Sequence, residues 1–269
     1  MNLKPGMLKV APGRAASASA SSVDLLLNLK NQYGASCLKL STEDAGMSFE
    51  QIDYWVKQCA ETLPVMVKIG GPNARNDIKT LLNFNIKGFV APMVESVYGL
   101  EDFIEALRDH TTEPRFKKLS KHINIETQTA IENLDAILNS SAIKELDCIT
   151  LGRKDLSKSM KRSVGDPKVT ELVKNTVCRI KDRNIKVSLG GGVASHTIDD
   201  HLHDIQPNQF NTRVVTFEFR AGQTYGPAVN EAIRFEMLIL KEDLQKGFIT
   251  PEEEKIRAGE LRKRLDFSC

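Results

Sequence analysis

A chain of 269 residues has room for one large α/β domain or two small ones, and its 41% hydrophobic and 27% charged residues exclude wholesale disorder and fibrous repeats. With 37 Lys and Arg against 35 Asp and Glu, the formal net charge is only +2. That lacks the basic excess of a nucleic-acid or membrane-surface protein, and 6% aromatics are too few for a platform that stacks single-stranded bases.

No apolar run approaches the roughly 18–20 residues of a membrane span, and no apolar core follows the N-terminus as in a secretory signal. The Ala/Ser-rich stretch Ala15–Ser22, with Arg14 before it, reads as a loop entering a helix, the alternative being an organelle transit peptide. The 5 cysteines are scattered, with no C-x-x-C pair, which points to a reducing, cytoplasmic setting rather than a disulfide framework. Cys37, Cys59 and Cys148 sit among apolar neighbours and read as small core residues.

In chain order, short apolar or β-branched runs fall at Met7–Val10, Ser36–Leu40, Val65–Ile69, Gly88–Pro92, His122–Glu126, Asp147–Leu151, Lys186–Leu189 and Arg213–Phe217. Segments of helical period separate them. Val23, Leu26, Leu27 and Leu29 precede Gly34, a helix stop. Ser48 and Gln51 form a capping box ahead of Ile52, Trp55, Val56 and Cys59. The stripe recurs at Val97, Leu100, Phe103, Ile104 and Leu107, and at Ile131, Leu134, Ile137 and Leu138. Asp166-Pro167 reads as N-cap and N1 of a helix through Val169, Val173, Val177 and Ile180.

Eight strands alternating with helices predict a (β/α)8 TIM barrel over residues 1–222, since a doubly wound sheet would leave some runs unplaced. Residues 223–269 add C-terminal helices, roughly Ala228–Gln245 and Pro251–Leu265, the second opened by a Thr250/Glu253 capping box. Its thin stripe of Ile256, Leu261 and Leu265 packs on the barrel or on a second subunit, so a homo-oligomer is expected.

Reactive groups of such barrels project from the carboxyl ends of the strands. Those ends carry Glu43 and Asp44, Lys68, Glu95, Glu126, Asp155, Gly190–Gly192 and Glu218. Carboxylates and a lysine converging on one mouth suit a hard divalent cation, which takes oxygen ligands and leaves positions for water and substrate.

The stretches Ile123–Thr127 (INIET), Glu132–Asp135 (ENLD) and Leu151–Ser157 (LGRKDLS) resemble the HpcH/HpaI aldolase/citrate lyase-like family, as do Gly88–Ser96 (GFVAPMVES) and Tyr98–Phe103 (YGLEDF). The resemblance spans about residues 20–220. It implies a phosphoenolpyruvate/pyruvate-type barrel that makes or breaks a carbon–carbon bond beside a pyruvate-like or oxaloacetate-like unit. It also implies Mg2+ or Mn2+ held by Glu126 and Asp155, as a Lewis acid for an enolate.

Two positions depart from the family pattern. Its glutamate–histidine pair reads Glu43-Asp44 here, leaving Asp44 as the candidate base, and its substrate-clamping arginine reads Lys68, which lacks the planar fork. Glu95 and Arg153 are candidates for orienting substrate. The Gly190-Gly191-Gly192 turn, with Ser195 as a helix cap and a basic loop of Arg153, Lys154, Lys158, Lys161 and Arg162, suggests a substrate bearing phosphate or several carboxylates. His201 and His203 lie two apart and share no helical face, so His196, His201 and His203 read as a polar helix rather than a zinc site.

The function expected is therefore a divalent-metal-dependent carbon–carbon lyase or aldolase, or the reverse condensation, on a small acidic 2-oxo metabolite. Neither nucleic acid nor membrane is an expected partner. Alternative readings are a non-catalytic barrel binding an acidic ligand or partner, and a phosphoenolpyruvate-using or acyl-transfer enzyme.

Overall fold

The computed structural model describes residues 21–265. The first expected strand, Met7–Val10, lies outside them. The chain begins with α1 (Ser22–Tyr33), β1 (Ala35–Ser41), α2 (Phe49–Cys59), β2 (Val65–Lys68), α3 (Arg75–Leu81) and β3 (Gly88–Ala91). It continues through α4 (Val97–Asp109), α5 (Glu113–Lys118), β4 (Ser120–Ile125), α6 (Gln128–Glu132), α7 (Leu134–Asn139) and β5 (Cys148–Gly152). Then come α8 (Arg153–Ser159), α9 (Pro167–Lys181), β6 (Lys186–Gly190), α10 (Ile198–Ile205), β7 (Gln209–Asn211), β8 (Val215–Glu218), α11 (Gly226–Lys246) and α12 (Pro251–Arg262).

The strands close into a barrel in sequence order. Strands β1 to β7 run parallel, while β8 is antiparallel to both of its neighbours, with Phe210 opposite Phe217 and Leu38 opposite Val215. This corrects the expectation of eight parallel strands. Only Thr212, Arg213 and Val214 separate β7 from β8, and a parallel return needs a crossover of a dozen residues or more. Thr212 instead donates its N–H to the Val215 carbonyl and accepts the Val215 N–H on its hydroxyl oxygen, closing a hairpin. The seventh strand escaped the sequence reading because its three residues, Gln-Phe-Asn, show no apolar run.

Period-two alternation sorts the barrel. Leu38, Leu40, Val65, Val67, Phe89, Ile123, Ile125, Ile149, Leu151, Val187, Leu189, Phe210 and Phe217 are buried beneath the helices. Alternate positions, including Lys39, Lys68, His122, Asn124, Thr150, Ser188, Asn211 and Thr216, turn into the lumen. Such lumens are usually packed with branched apolar side chains; this one is polar.

The helices form where their caps and stripes lie. Ser21 and Asp24 make a reciprocal capping box at α1, and Gly34 ends that helix in the left-handed conformation at φ 71°. Ser48 caps α2 by accepting from the Gln51 N–H. The expected reciprocal half of that box is absent, because the Gln51 amide donates to Asp243 Oδ2 at 2.7 Å instead. Trp55 Nε1 donates to the other oxygen of Asp243, also at 2.7 Å. One fully buried carboxylate thus fastens α11 to α2.

On α12, Leu261 is buried and Ile256 is 58% exposed, while Leu265, just beyond the helix, packs against the core. Among the described residues, no helix is long and apolar enough to cross a membrane. Asp243→Ala orphans an indole and an amide donor at about 1–3 kcal/mol each. The variant is expected to lose about 2–5 kcal/mol of unfolding free energy in urea titrations; a loss under about 1 kcal/mol would show that the clamp is dispensable.

Candidate active site

The carboxyl ends of β1, β2, β4 and β5 bring the central charged groups together. Ser41, the last residue of β1, accepts N–H bonds from both Glu43 and Asp44 at 3.1 Å, curling the loop back over the barrel. Their carboxylates reach Lys68 of β2, with Nζ 2.5 Å from Glu43 Oε2 and 3.4 Å from Asp44 Oδ1. Burial disfavours the Lys68 ammonium, but the attraction of Asp44, Glu43 and Glu126 outweighs it and raises the lysine above its ordinary value. Asp44 shows the converse. Burial opposes its charge, yet Lys39, Lys68, the Ser41 hydroxyl and Arg213 hold its carboxyl well below the usual carboxylate range. Asp44 is therefore a fixed anion, a poor acceptor for a proton near neutral pH.

Glu126 follows the last residue of β4 and is only 4% exposed. Its Oε1 accepts the Met93 N–H at 3.0 Å, and the Asn124 amide donates to both oxygens, at 3.3 and 3.2 Å. Met93 presents that N–H by adopting φ 53°, an uncommon conformation for a residue with a side chain. Gly152 of β5 supplies the space, since a Cβ there would lie 2.5 Å from Glu126 Oε2. Burial lifts the Glu126 carboxyl above its ordinary value; Met93, Lys68 and Asn124 pull it down, and the neighbouring Asp155 charge pushes it up. Asp155, in the first turn of α8, remains partly exposed and meets Lys158 at 3.2 Å.

The two carboxylates thus interact across neighbouring strands β4 and β5. Among the described residues no group of three or more His, Cys, Asp or Glu is placed to hold a metal. Two carboxylates fit Mg2+, which is bound through one or two of them, with water and substrate completing the shell. Sequence reasoning missed Met93, whose contribution is backbone, and Asn124, whose position two residues before Glu126 on one strand puts both on the same face.

The remaining candidates divide. Glu95 accepts the Thr127 hydroxyl, and its carbonyl accepts the Asn133 amide at 2.8 Å, so it secures the start of α6 beside Glu126. Arg153 is 1% exposed, with Nη2 at 2.9 Å from His201 Nε2 and 3.4 Å from the Val164 carbonyl. Burial against α10 lowers its guanidinium to about 10, and this sequestered position is not one that clamps a diffusing substrate.

Gly191 and Gly192, at φ 77° and 69°, let the turn after β6 press on α8; a Cβ on Gly191 would sit 2.5 Å from the Lys154 nitrogen. Gly190, at the end of β6, continues that turn. Ser195 does not cap α10 as expected. Its hydroxyl donates to the Arg264 carbonyl at 3.3 Å, and Thr197 occupies the N-cap position without a side-chain bond. Glu218 is not at this mouth either: the reversal of β8 carries it to the opposite end of the barrel.

Because Asp44 binds protons less readily when folded, its stabilising effect is present above its ordinary value of 3.8 and is lost as pH falls below it. Asp44→Asn should accordingly have a lower urea midpoint than the wild type at about pH 6, and the gap should begin to narrow only once pH falls below 3.8, closing further towards about pH 2. A gap that stays constant over this range would contradict the pairing.

Comparison with known proteins places the chain in a recognisable group. The model of the HpcH/HpaI aldolase/citrate lyase family matches residues 44–197, which is more than half of the chain. No curated protein matches significantly. Among solved structures, an HpcH/HpaI aldolase/citrate lyase family protein from Burkholderia cenocepacia J2315 superposes with a TM-score of 0.59 at 12% identity, covering 72% of this chain and 84% of the other. An HpcH/HpaI aldolase from Desulfitobacterium hafniense DCB-2 gives 0.55 at 17% identity, with coverages of 70% and 81%. The citrate synthase SbnG gives 0.58 at 17% identity, with coverages of 85% and 91%. At these identities the structural likeness speaks for the fold alone.

Proposed function

The chain belongs to the HpcH/HpaI aldolase/citrate lyase family, an assignment that makes it an aldolase/citrate lyase-type enzyme, and on that premise we propose that it is a divalent-metal-dependent carbon–carbon lyase. Its substrate in this reading is a small 2-oxo acid or related carboxylated metabolite, and its cation is Mg2+ or Mn2+ held by Glu126 and Asp155. The observation that carries the proposal is Glu126 itself. It is a buried carboxylate aimed by a backbone N–H and an amide, and the neighbouring negative charge of Asp155 acts on it. Glu126 and Asp155 would hold a doubly charged ion whose charge would offset their repulsion and the cost of burying Glu126.

Such an ion, when bound, supplies Lewis-acid polarisation of the substrate's 2-oxo group and stabilises negative charge developing beside it. The chain's own residues provide the frame. Met93 and Asn124 orient Glu126. Glu43 and Asp44 hold Lys68 charged at the mouth, where it attracts the substrate's carboxylate. Asp44 serves as that charge partner rather than as the base suggested by its place in the sequence. The reverse condensation stays within the proposal, supported by the resemblance of the fold to a citrate synthase.

Calorimetric titration with Mn2+ tests the ligand pair. Glu126→Gln and Asp155→Asn should each weaken binding by more than the about 10–100-fold that loss of an outer-shell partner costs. Turnover of oxaloacetate, or NMR-detected exchange of the methyl protons of pyruvate, should fall in parallel. Wild-type Mn2+ affinity in both variants would refute the assignment.

A further inference from the structure

The lumen of the barrel holds two lysines on adjacent strands, and the structure treats them oppositely. Lys68 is gripped by two carboxylates at the mouth. Lys39, three residues before Thr42 on β1, has no hydrogen bond or ion pair to its ammonium among the described residues; Asp44 and Glu126 reach it only through longer-range attraction. It lines instead a chamber of about 170 Å3 in the lumen, whose opening by Pro64, Lys87 and Ser120 lies at the amino-terminal ends of β2, β3 and β4. This chamber is on the other side of Lys39 from the mouth.

The geometry points to Lys39 as a carbonyl-capturing amine that forms an imine with a small aldehyde or 2-oxo acid admitted through the amino-terminal opening of the barrel. Size fits: cavities of about 150 Å3 accommodate a benzene ring, comparable to a 2-oxo acid of pyruvate dimensions. Polarity fits as well, because His122, Thr150, Asn211 and Glu218 line the same chamber. Only the reversed β8 brings Glu218 there.

An amine attacks a carbonyl carbon only with its lone pair free, and burial lowers the Lys39 ammonium below its ordinary value, helped by Lys68 and Arg213 and opposed by Asp44 and Glu126. Cys37, Lys87, His122 and Glu218 are the remaining titratable groups on the chamber wall, and burial pushes the Cys37 thiol up to about 12. Burial, with Lys186, Lys39 and Lys121, pushes His122 down to about 4 against the pull of Asp147, so its imidazole stays neutral, a hydrogen-bonding group rather than a proton acceptor. In the step itself, the Nζ lone pair forms the carbon–nitrogen bond. The carbonyl oxygen takes up protons, two of them from the amine in the overall balance, and leaves as water; the carbon–nitrogen double bond remains. Glu218 on the chamber wall is the carboxylate available to relay protons, and no oxidant or reductant is required.

Incubation of the full-length protein with pyruvate, and separately with uncharged acetaldehyde, in the presence of cyanoborohydride turns any imine into a stable secondary amine that peptide mass mapping locates. Lys39 should be labelled at least about tenfold faster than the ion-paired Lys68, whose lone pair is occupied by its proton. The Lys39 adduct should disappear in Lys39→Arg and Lys39→Met, and it should persist in Asp155→Asn, which separates this inference from the metal site. Absence of wild-type label at Lys39, or label confined to exposed lysines or equal at Lys68, would overturn it. Pyruvate bound equally by wild type and Lys39→Arg without any wild-type adduct would reduce Lys39 to an electrostatic anchor and overturn it too.

Discussion

A charge taken out of water must be matched by an opposite charge, satisfied by hydrogen bonds, or neutralised. The polar lumen of this barrel makes that constraint decisive. Strand alternation commits Lys39, Lys68, His122 and Glu126 to an enclosed space, and each meets the requirement differently. Lys68 is matched by Glu43 and Asp44. His122 is held neutral by burial. Glu126 has hydrogen bonds but too little positive charge, so its proton affinity rises. The Lys39 ammonium has neither ion pair nor hydrogen bond among the described residues, and burial lowers its proton affinity. The two incompletely matched groups, Glu126 and Lys39, are the two on which the proposed cation binding and carbonyl capture rest.

The C-terminal helices obey the same rule at the rim. Glu236 of α11 is 2% exposed, and Arg213 from the β7–β8 hairpin lies 3.8 Å away while also donating to the Asp44 carbonyl at 2.7 Å. Burial raises the Glu236 carboxyl, with Arg264, Arg213 and Arg257 opposing that rise. Arg257 and Arg264 in turn donate to the carbonyls of Ala45 and Val193. One helical pair therefore steadies the loops after β1 and β6, the former carrying Glu43 and Asp44. The charges of Glu236 on α11, Arg257 on α12 and Arg264 just beyond it thus help fix loops that lie far away in sequence.

Much of this was legible in the chain. Strands β1 to β6 were visible because each buries an outward apolar row beneath a helix, and that row appears in the sequence as Leu38-x-Leu40 or Val65-x-Val67. Caps at Ser48, Asp166 and Thr250 were equally visible, since the cap bond closes within three residues. Less was legible where a polar side chain had more than one partner within reach. Gln51 left its capping box for Asp243, 192 positions away in sequence. Ser195 left its helix for Arg264, and Arg153 turned to His201. Local spacing cannot rank such choices, because the competing partner arrives only with the packed helix.

The sequence by itself determined the barrel, the family, and the two acidic positions at the ends of β4 and β5, all of which rest on periodicities and short motifs that act over a few residues. Tertiary structure alone decided the direction of the closing strand, and with it the end of the barrel to which Glu218 belongs. It alone also decided which of two lumen lysines is paired. Those outcomes depend on loop length against barrel geometry and on electrostatics summed over several strands, and neither quantity is written in any one segment of the chain.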